Sequence, residues 1–187
     1  PGRPERTVGS VVATATAGAL RAGFGPARDH VLGCTAVTGD GRVIRPGGTV
    51  VKNVAGYDLT KLQVGGFGAF GVLTTLHLRL RALPAADVTL LARAPRDHLT
   101  SAAHDLADAG VEPQALELFS PAVSAESEWI MAARCVGTAA GVAGDLARIL
   151  DTADLPWNEL DAERAHAFWH LVTHAGSGAA MTARLGV

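Results

Sequence analysis

Gly66 to Gly71 read G-F-G-A-F-G, which is G-x-G-x-x-G, the spacing that lets a glycine turn approach a dinucleotide pyrophosphate. Such a loop binds phosphate when a strand enters it and a helix leaves it, because the helix then aims its N-terminal N–H groups and positive dipole at the anion. The flanking residues predict the reverse order. Asp58 opens a short helix through Leu59, Leu62 and Gln63 that Gly65 and Gly66 close. After the loop, Leu76, Leu78 and Leu80 alternate with His77, Arg79 and Arg81, which predicts a strand with one face buried and one wet. The first acid beyond it, Asp87, lies past Leu83-Pro84, where the pattern breaks. An NAD site therefore fails on direction. Two readings stay open: glycines that permit positive φ at a helix-to-strand junction, or a backbone bared so that a flat or phosphorylated cofactor can lie against it.

Other residues could do chemistry. T-V-G-S-V-V-A-T-A-T-A-G-A-L, Thr7 to Leu20, is small and apolar, and suits either a tightly packed helix or close approach by a ligand. His166, His170 and His174 recur every four residues, a spacing that can share a metal on a helix. They flank an apolar face of Ala165, Phe168, Trp169 and Val172, so a histidine stripe is expected and no metal site is assigned. Cys34 and Cys135 are too few and too far apart for a disulfide framework or a zinc cluster, and are expected reduced and packed. Lys52, Asn53, Tyr57 and the histidines are candidates for anion binding or base chemistry, and none is singled out. Tyr57 reads as a packed aromatic, and His30 and His77 as structural.

The elements that must position these residues are α+β. With 48% apolar and 18% charged residues, the 187-residue chain can bury a core, and a net charge of −2 argues against a nucleic-acid footprint. No apolar run is long enough to span a bilayer, and no leader pattern is present. A chain opening on Pro1 is expected to be a fragment or a processed product. Val31 to Thr38, the turn Gly39-Asp40-Gly41 and the return Arg42 to Arg45 predict a hairpin. Beyond the boundary at "PAAD", Val88–Arg93, a helix preceded by Asp97 with Leu99, Ala102, Ala103 and Leu106, strands Ala115–Phe119 and Trp129–Val136, and a helix marked by Val142, Leu146, Ile149 and Leu150 give β-α-β-β-α. This is five-sixths of a ferredoxin-like unit, with a helix Glu163–His174 where the sixth strand is expected.

Four blocks in order, "TVGSVVATATAG", "GFGPARDHVLGCTAVTGDGRVIRPGG", "KNVAGYDLTKL" and "GGFGAFGVLTTLHLRLRALP", resemble the FAD-linked oxidases of the vanillyl-alcohol oxidase or PCMH type. Within that family they are similar to the FAD-binding subunit of bacterial glycolate oxidases. The resemblance implies the second half of a PCMH-type FAD-binding domain over residues 1–84 and an incomplete ferredoxin-like cap domain over 85–187. The family's T-x-G-G turn, which wraps the pyrophosphate of FAD, matches Thr7, Val8, Gly9 and Ser10. Its T-N-A-S-G-like stretch matches Ala13 to Gly18, including Thr14 and Thr16. Its E-G-T-L-G-V-I loop matches Phe67 to Leu73, with Gly68, Gly71, Val72 and Leu73 at the nucleotide end. Arg28 and Asp29 match a pair read as mainly structural. Ser10 replaces a glycine, Ala15 an asparagine and Ala69 a threonine, each removing flexibility or a polar contact. The family's first FAD subdomain is expected ahead of Thr7.

The activity implied is oxidation of a small 2-hydroxy acid, with hydride passing to the flavin and electrons to other oxidase subunits, a flavin subunit and an iron–sulfur subunit. The implied location is the cytoplasm, with membrane association only through those partners. A non-catalytic assembly subunit, or a truncated relic of the fold, is the alternative.

Overall fold

The computed structural model describes residues 6–49, 58–124 and 127–174. The chain divides between Leu83 and Pro84 into two compact units.

In the first unit, Thr7 Oγ1 accepts a hydrogen bond from Ser10 N (3.1 Å) while Ser10 Oγ donates to Thr7 O (2.8 Å), so the two hydroxyls cap the helix α1 (Val8–Ala13). A turn of helix, α2 (Arg21–Phe24), and a 3-10 turn at Ala27–Asp29 lead into β1 (Val31–Val37). β1 is the centre of a three-stranded antiparallel sheet, between β2 (Val43–Ile44) and β3 (Val72–Leu78). The hairpin turn forms at the predicted place, with Arg42 Nε donating to Asp40 at 2.6 Å. Asp58 caps α3 (Leu59–Gln63) by accepting from Lys61 N at 3.2 Å. Gly33 and Gly47 bridge, and a Cβ on Gly33 would stand 2.5 Å from Gly48 N, so only glycine lets the strand and loop meet there.

β3 departs from the expected alternation. It begins at Val72 and ends at Leu78, Leu78 is exposed, and Leu80 lies beyond the strand at 85% exposure. Two causes are visible in the register. Besides a shift at Thr74, the pairing slips between Val31 and Gly33, opposite Leu78 and His77, so the ladder is irregular between Leu76 and Leu78. Leu78 also pairs with Val31, the first residue of β1, so Leu80 has no strand to lie against.

The second unit runs β4 (Ala86–Ala94), α4 (Arg96–Asp108), β5 (Ala115–Phe119), α5 (Pro121–Ser124), β6 (Trp129–Gly137), α6 (Ala139–Thr152), β7 (Asn158–Leu160) and α7 (Ala162–His174). The sheet order is β5-β6-β4-β7, antiparallel throughout. The expected gap is filled: β7, three residues long, pairs with β4 from Thr89↔Leu160 to Leu91↔Asn158 and completes β-α-β-β-α-β. Leu90, Ala92, Met131, Ala133 and Cys135 form one face of the sheet and pack with Leu99 and Leu106 of α4 and Val142 and Ile149 of α6. Leu150 is exposed rather than part of that face. Asp97 sits in the first turn of α4, not at its cap, which Pro95 occupies. Thr138 caps α6 by accepting from Gly141 N at 3.1 Å.

Alternation puts Thr89 on the face opposite Leu90, and there α7 lies with Trp169 and Val172 buried. Trp169 Nε1 donates to Thr89 Oγ1 at 2.9 Å. Arg134 forks onto Asp87 at 2.8 and 2.6 Å and lies over the Trp169 ring, 5.4 Å from its centroid, as a cation–π pair. Cys34 in the first unit and Cys135 in the second are both buried thiols.

Candidate functional site

The glycine loop is entered by α3 and left by β3, the orientation opposite to a dinucleotide-binding turn. It folds onto the C-terminal end of α1. Gly65 N donates to Val12 O (3.1 Å) and Phe67 N donates to Ala13 O (2.9 Å), so two segments 50 residues apart in sequence share backbone hydrogen bonds. Phe67 N thereby satisfies the Ala13 carbonyl at the end of α1, and Gly65 N adds a second bond to the Val12 carbonyl, which also accepts from Ala15 N. Thr14 Oγ1 donates to Ser10 O (2.7 Å) and lies 2.6 Å from Thr16 Oγ1, while Arg6 reaches Thr16 Oγ1 at 3.4 Å.

Of the residues expected to hold a cofactor, Ala13, Thr14 and Thr16 lie at this junction. Thr7, Gly9 and Ser10 lie at the other end of α1, about 9 Å away at 1.5 Å per residue. Gly68 lies on the exposed tip of the loop with φ 79° and open space where a Cβ would stand. Gly71 (φ 136°) presses against the end of β1, where a Cβ would come within 2.6 Å of Val37 O. Val72 and Leu73 then pair with Val37 and Ala36. Thus Gly71, Val72 and Leu73 meet β1, while the Gly65–Phe67 arm meets α1. Lys52, Asn53 and Tyr57 lie outside the described residues.

Two features have no signal in the sequence. Ala15 and Phe67 both have φ 50°, a left-handed backbone that costs a non-glycine residue about 1–2 kcal/mol. Nothing about alanine or phenylalanine announces that conformation; Ala15 N donates to Val12 O within its own turn and Phe67 N to Ala13 O across the junction. A groove of about 290 Å³ also opens beside α1, walled by Val11, Val12, Leu20, Phe24 and Leu78, with Thr16 at its edge. It is apolar and at the small end of ligand pockets. His30 borders it, with Nε2 2.8 Å from Phe24 O, consistent with a structural role.

The chemistry of the junction suits an anionic, flat ligand. Residues 6–20 and 64–78 contain no Asp or Glu, and small residues and glycines leave much of the backbone open in both. Residues that could hold the phosphates and rings of FAD are therefore present on α1, its following turn and the loop. In the second unit, His166 and His170 are exposed on α7, and among the described residues no group of three or more His, Cys, Asp or Glu could hold a metal ion. No helix among them is long and apolar enough to cross a membrane. Burial raises both thiols: Cys34 above its ordinary value, and Cys135 to about 11, with the Asp145 carboxylate adding to the effect.

No protein-family model matches the chain. Glycolate oxidase subunit GlcE of Escherichia coli is 46% identical over 86 residues, covering 46% of this chain and 25% of that protein. Glycolate oxidase subunit GlcD of Bacillus subtilis is 36% identical over 114 residues, 59% of this chain and 24% of that protein. A D-lactate dehydrogenase of Archaeoglobus fulgidus is 40% identical over 92 residues, 49% and 20% respectively. The chain spans about a quarter of the length of these relatives or less. Among solved structures, alkyldihydroxyacetonephosphate synthase superposes with a TM-score of 0.71 at 14% identity, over 87% of this chain and 37% of that one. A glucooligosaccharide oxidase of Acremonium strictum gives 0.60 at 17% identity, over 87% and 34%. These structural likenesses show the fold. The chain carries, over part of their length, the mixed helix-and-sheet fold of the PCMH-type FAD-linked oxidases, and its sequence relatives include glycolate oxidase subunits and D-lactate dehydrogenases.

Proposed function

We propose that this chain is part of an FAD-dependent oxidoreductase that oxidises a small 2-hydroxy acid. The observation that carries the reading is the hydrogen-bonded junction of Val12–Ala13 with Gly65–Phe67, which joins two segments free of carboxylates. Thr7, Gly9, Ser10, Ala13, Thr14, Thr16, Gly68, Gly71, Val72 and Leu73 would hold the cofactor. When bound, FAD supplies a ring that accepts hydride. The protein's share is to bind and orient it, through the capped first turn of α1, the Thr14–Thr16 hydroxyl pair and the backbone of the loop. The described residues single out no catalytic base. Names among the relatives support glycolate or D-lactate as substrates, and the subunit names support partner subunits.

Titration of the purified protein with FAD tests this. Quenched flavin fluorescence and a shifted visible band are expected, followed by glycolate- or D-lactate-dependent reduction of a dye once partner subunits are added. Protein that leaves the flavin spectrum unchanged would count against cofactor binding. A second reading, a non-catalytic assembly subunit, is favoured by the exposed apolar side chains Val8, Val72, Leu80 and Leu83. It predicts association with a flavin subunit without any flavin bound by this chain.

A further inference from the structure

Ala15 and Phe67 are the two non-glycine residues with left-handed backbone among the described residues, and they lie on the two segments that hydrogen-bond to each other. Strain of this kind concentrates where a ligand is clamped. At position 67 a glycine would be the relaxed choice, and Gly65, Gly66 and Gly68 surround it. Packing does not account for the ring. Phe67 is 77% exposed, and no aromatic or cationic group stacks on it among the described residues. Beside it Gly68 leaves open space, and Ala69 is exposed, so an aromatic face stands next to a shelf of bare backbone. The segments that meet here carry no acid, and Arg6 reaches the Thr16 side of the junction.

We propose that Phe67 is a stacking platform for one of the two planar ring systems of FAD, the adenine or the isoalloxazine. The inference rests on the FAD reading above and names the side chain of the glycine loop that grips the cofactor, beside the backbone that its glycines offer. A π-face with no hydrogen-bonding demand suits either ring. Its location on a strained but exposed position separates binding from folding: losing the ring costs affinity, while relaxing the backbone costs nothing in stability.

Calorimetric titration of the wild-type protein, Phe67→Ala, Phe67→Gly and Phe67→Tyr with FAD, ADP and FMN, with thermal melts alongside, tests it. FAD binding is expected to weaken about tenfold in Phe67→Ala and Phe67→Gly, equivalent to ~1.4 kcal/mol, and to persist in Phe67→Tyr. Phe67→Gly should melt at or above the wild-type temperature. A loss repeated with ADP but not FMN assigns the ring to adenine, and the converse assigns it to the flavin. Equal FAD affinity in Phe67→Ala and wild type overturns the proposal while leaving FAD binding intact, and points to a protein contact for the ring. A marked drop in the Phe67→Gly melt also overturns it, because the ring would then be packing. Wild-type protein that binds none of the three ligands overturns the FAD reading and this inference together.

Discussion

At Gly71 the backbone sets the rule for the side chain. With φ 136° and Val37 O only 2.6 Å from where a Cβ would stand, Gly71→Ala must both strain the backbone and push the loop off β1. A loss of about 1–3 kcal/mol is expected in urea unfolding of the first unit, on the scale of a strained-backbone substitution. Cys135 sets a different constraint, on pH. Its thiol ionises at 9.0 when unperturbed and is pushed to about 11 in the fold, first by burial and then by Asp145. The unfolded chain therefore releases its proton at lower pH than the folded one, and the folded state loses stability as pH rises from about 9 through 11. The contribution is fully present below pH 9. Urea midpoints at pH 8 and at pH 10.5 compared between wild type and Cys135→Ala should show a steeper fall in the wild type; parallel falls would contradict it.

Among the elements, those with strong periodicity were legible in the residues and those built by contact were not. Asp58 and the Gly39-Asp40-Gly41 turn announce α3 and the hairpin because capping and turn chemistry act over three or four residues. The long strands β4 and β6 and the helices α4 and α6 follow from apolar spacing that a core enforces. β7 carries no signal because three residues, Asn158, Glu159 and Leu160, cannot display a period, and two of them are exposed. It exists because β4 offers an open edge. The register slip between Val31 and Gly33, opposite Leu78 and His77, likewise depends on β1, so the alternation of Leu76, Leu78 and Leu80 predicts a strand correctly and its buried face incorrectly. In the candidate site, the glycines are readable and the left-handed Ala15 and Phe67 are not, since the backbone bonds they make, to Val12 O and Ala13 O, do not depend on residue type. On the far face of the second sheet, Trp169 ties α7 to β4 through Thr89. Trp169→Phe keeps most of the packing but leaves the Thr89 hydroxyl buried and without its donor, so a cost of about 1–3 kcal/mol is expected. Melting curves check it, and a Thr89→Val, Trp169→Phe double variant should recover part of the loss.

Across the whole molecule, the division at Leu83–Pro84 has a mechanical counterpart. Residues 79–85 are all exposed, and Arg79 and Arg81 stand within that stretch. Brief trypsin treatment should cleave there first and release a resistant fragment beginning at Arg81's carboxyl side, because the core of the second unit is drawn entirely from residues after the division. Mass spectrometry identifies the cut; degradation without a surviving fragment would mean that the second unit does not hold together alone.

The two buried thiols have a use beyond packing. Each compact unit contains one cysteine, Cys34 in the first and Cys135 in the second, and the sequence has no others. The molecule thus carries a built-in pair of clocks. Pulsed alkylation in mild denaturant, read as the mass of each cysteine-containing peptide, would time the opening of each unit separately in one sample. A cofactor that grips only the first unit would slow one clock and leave the other running at its own rate.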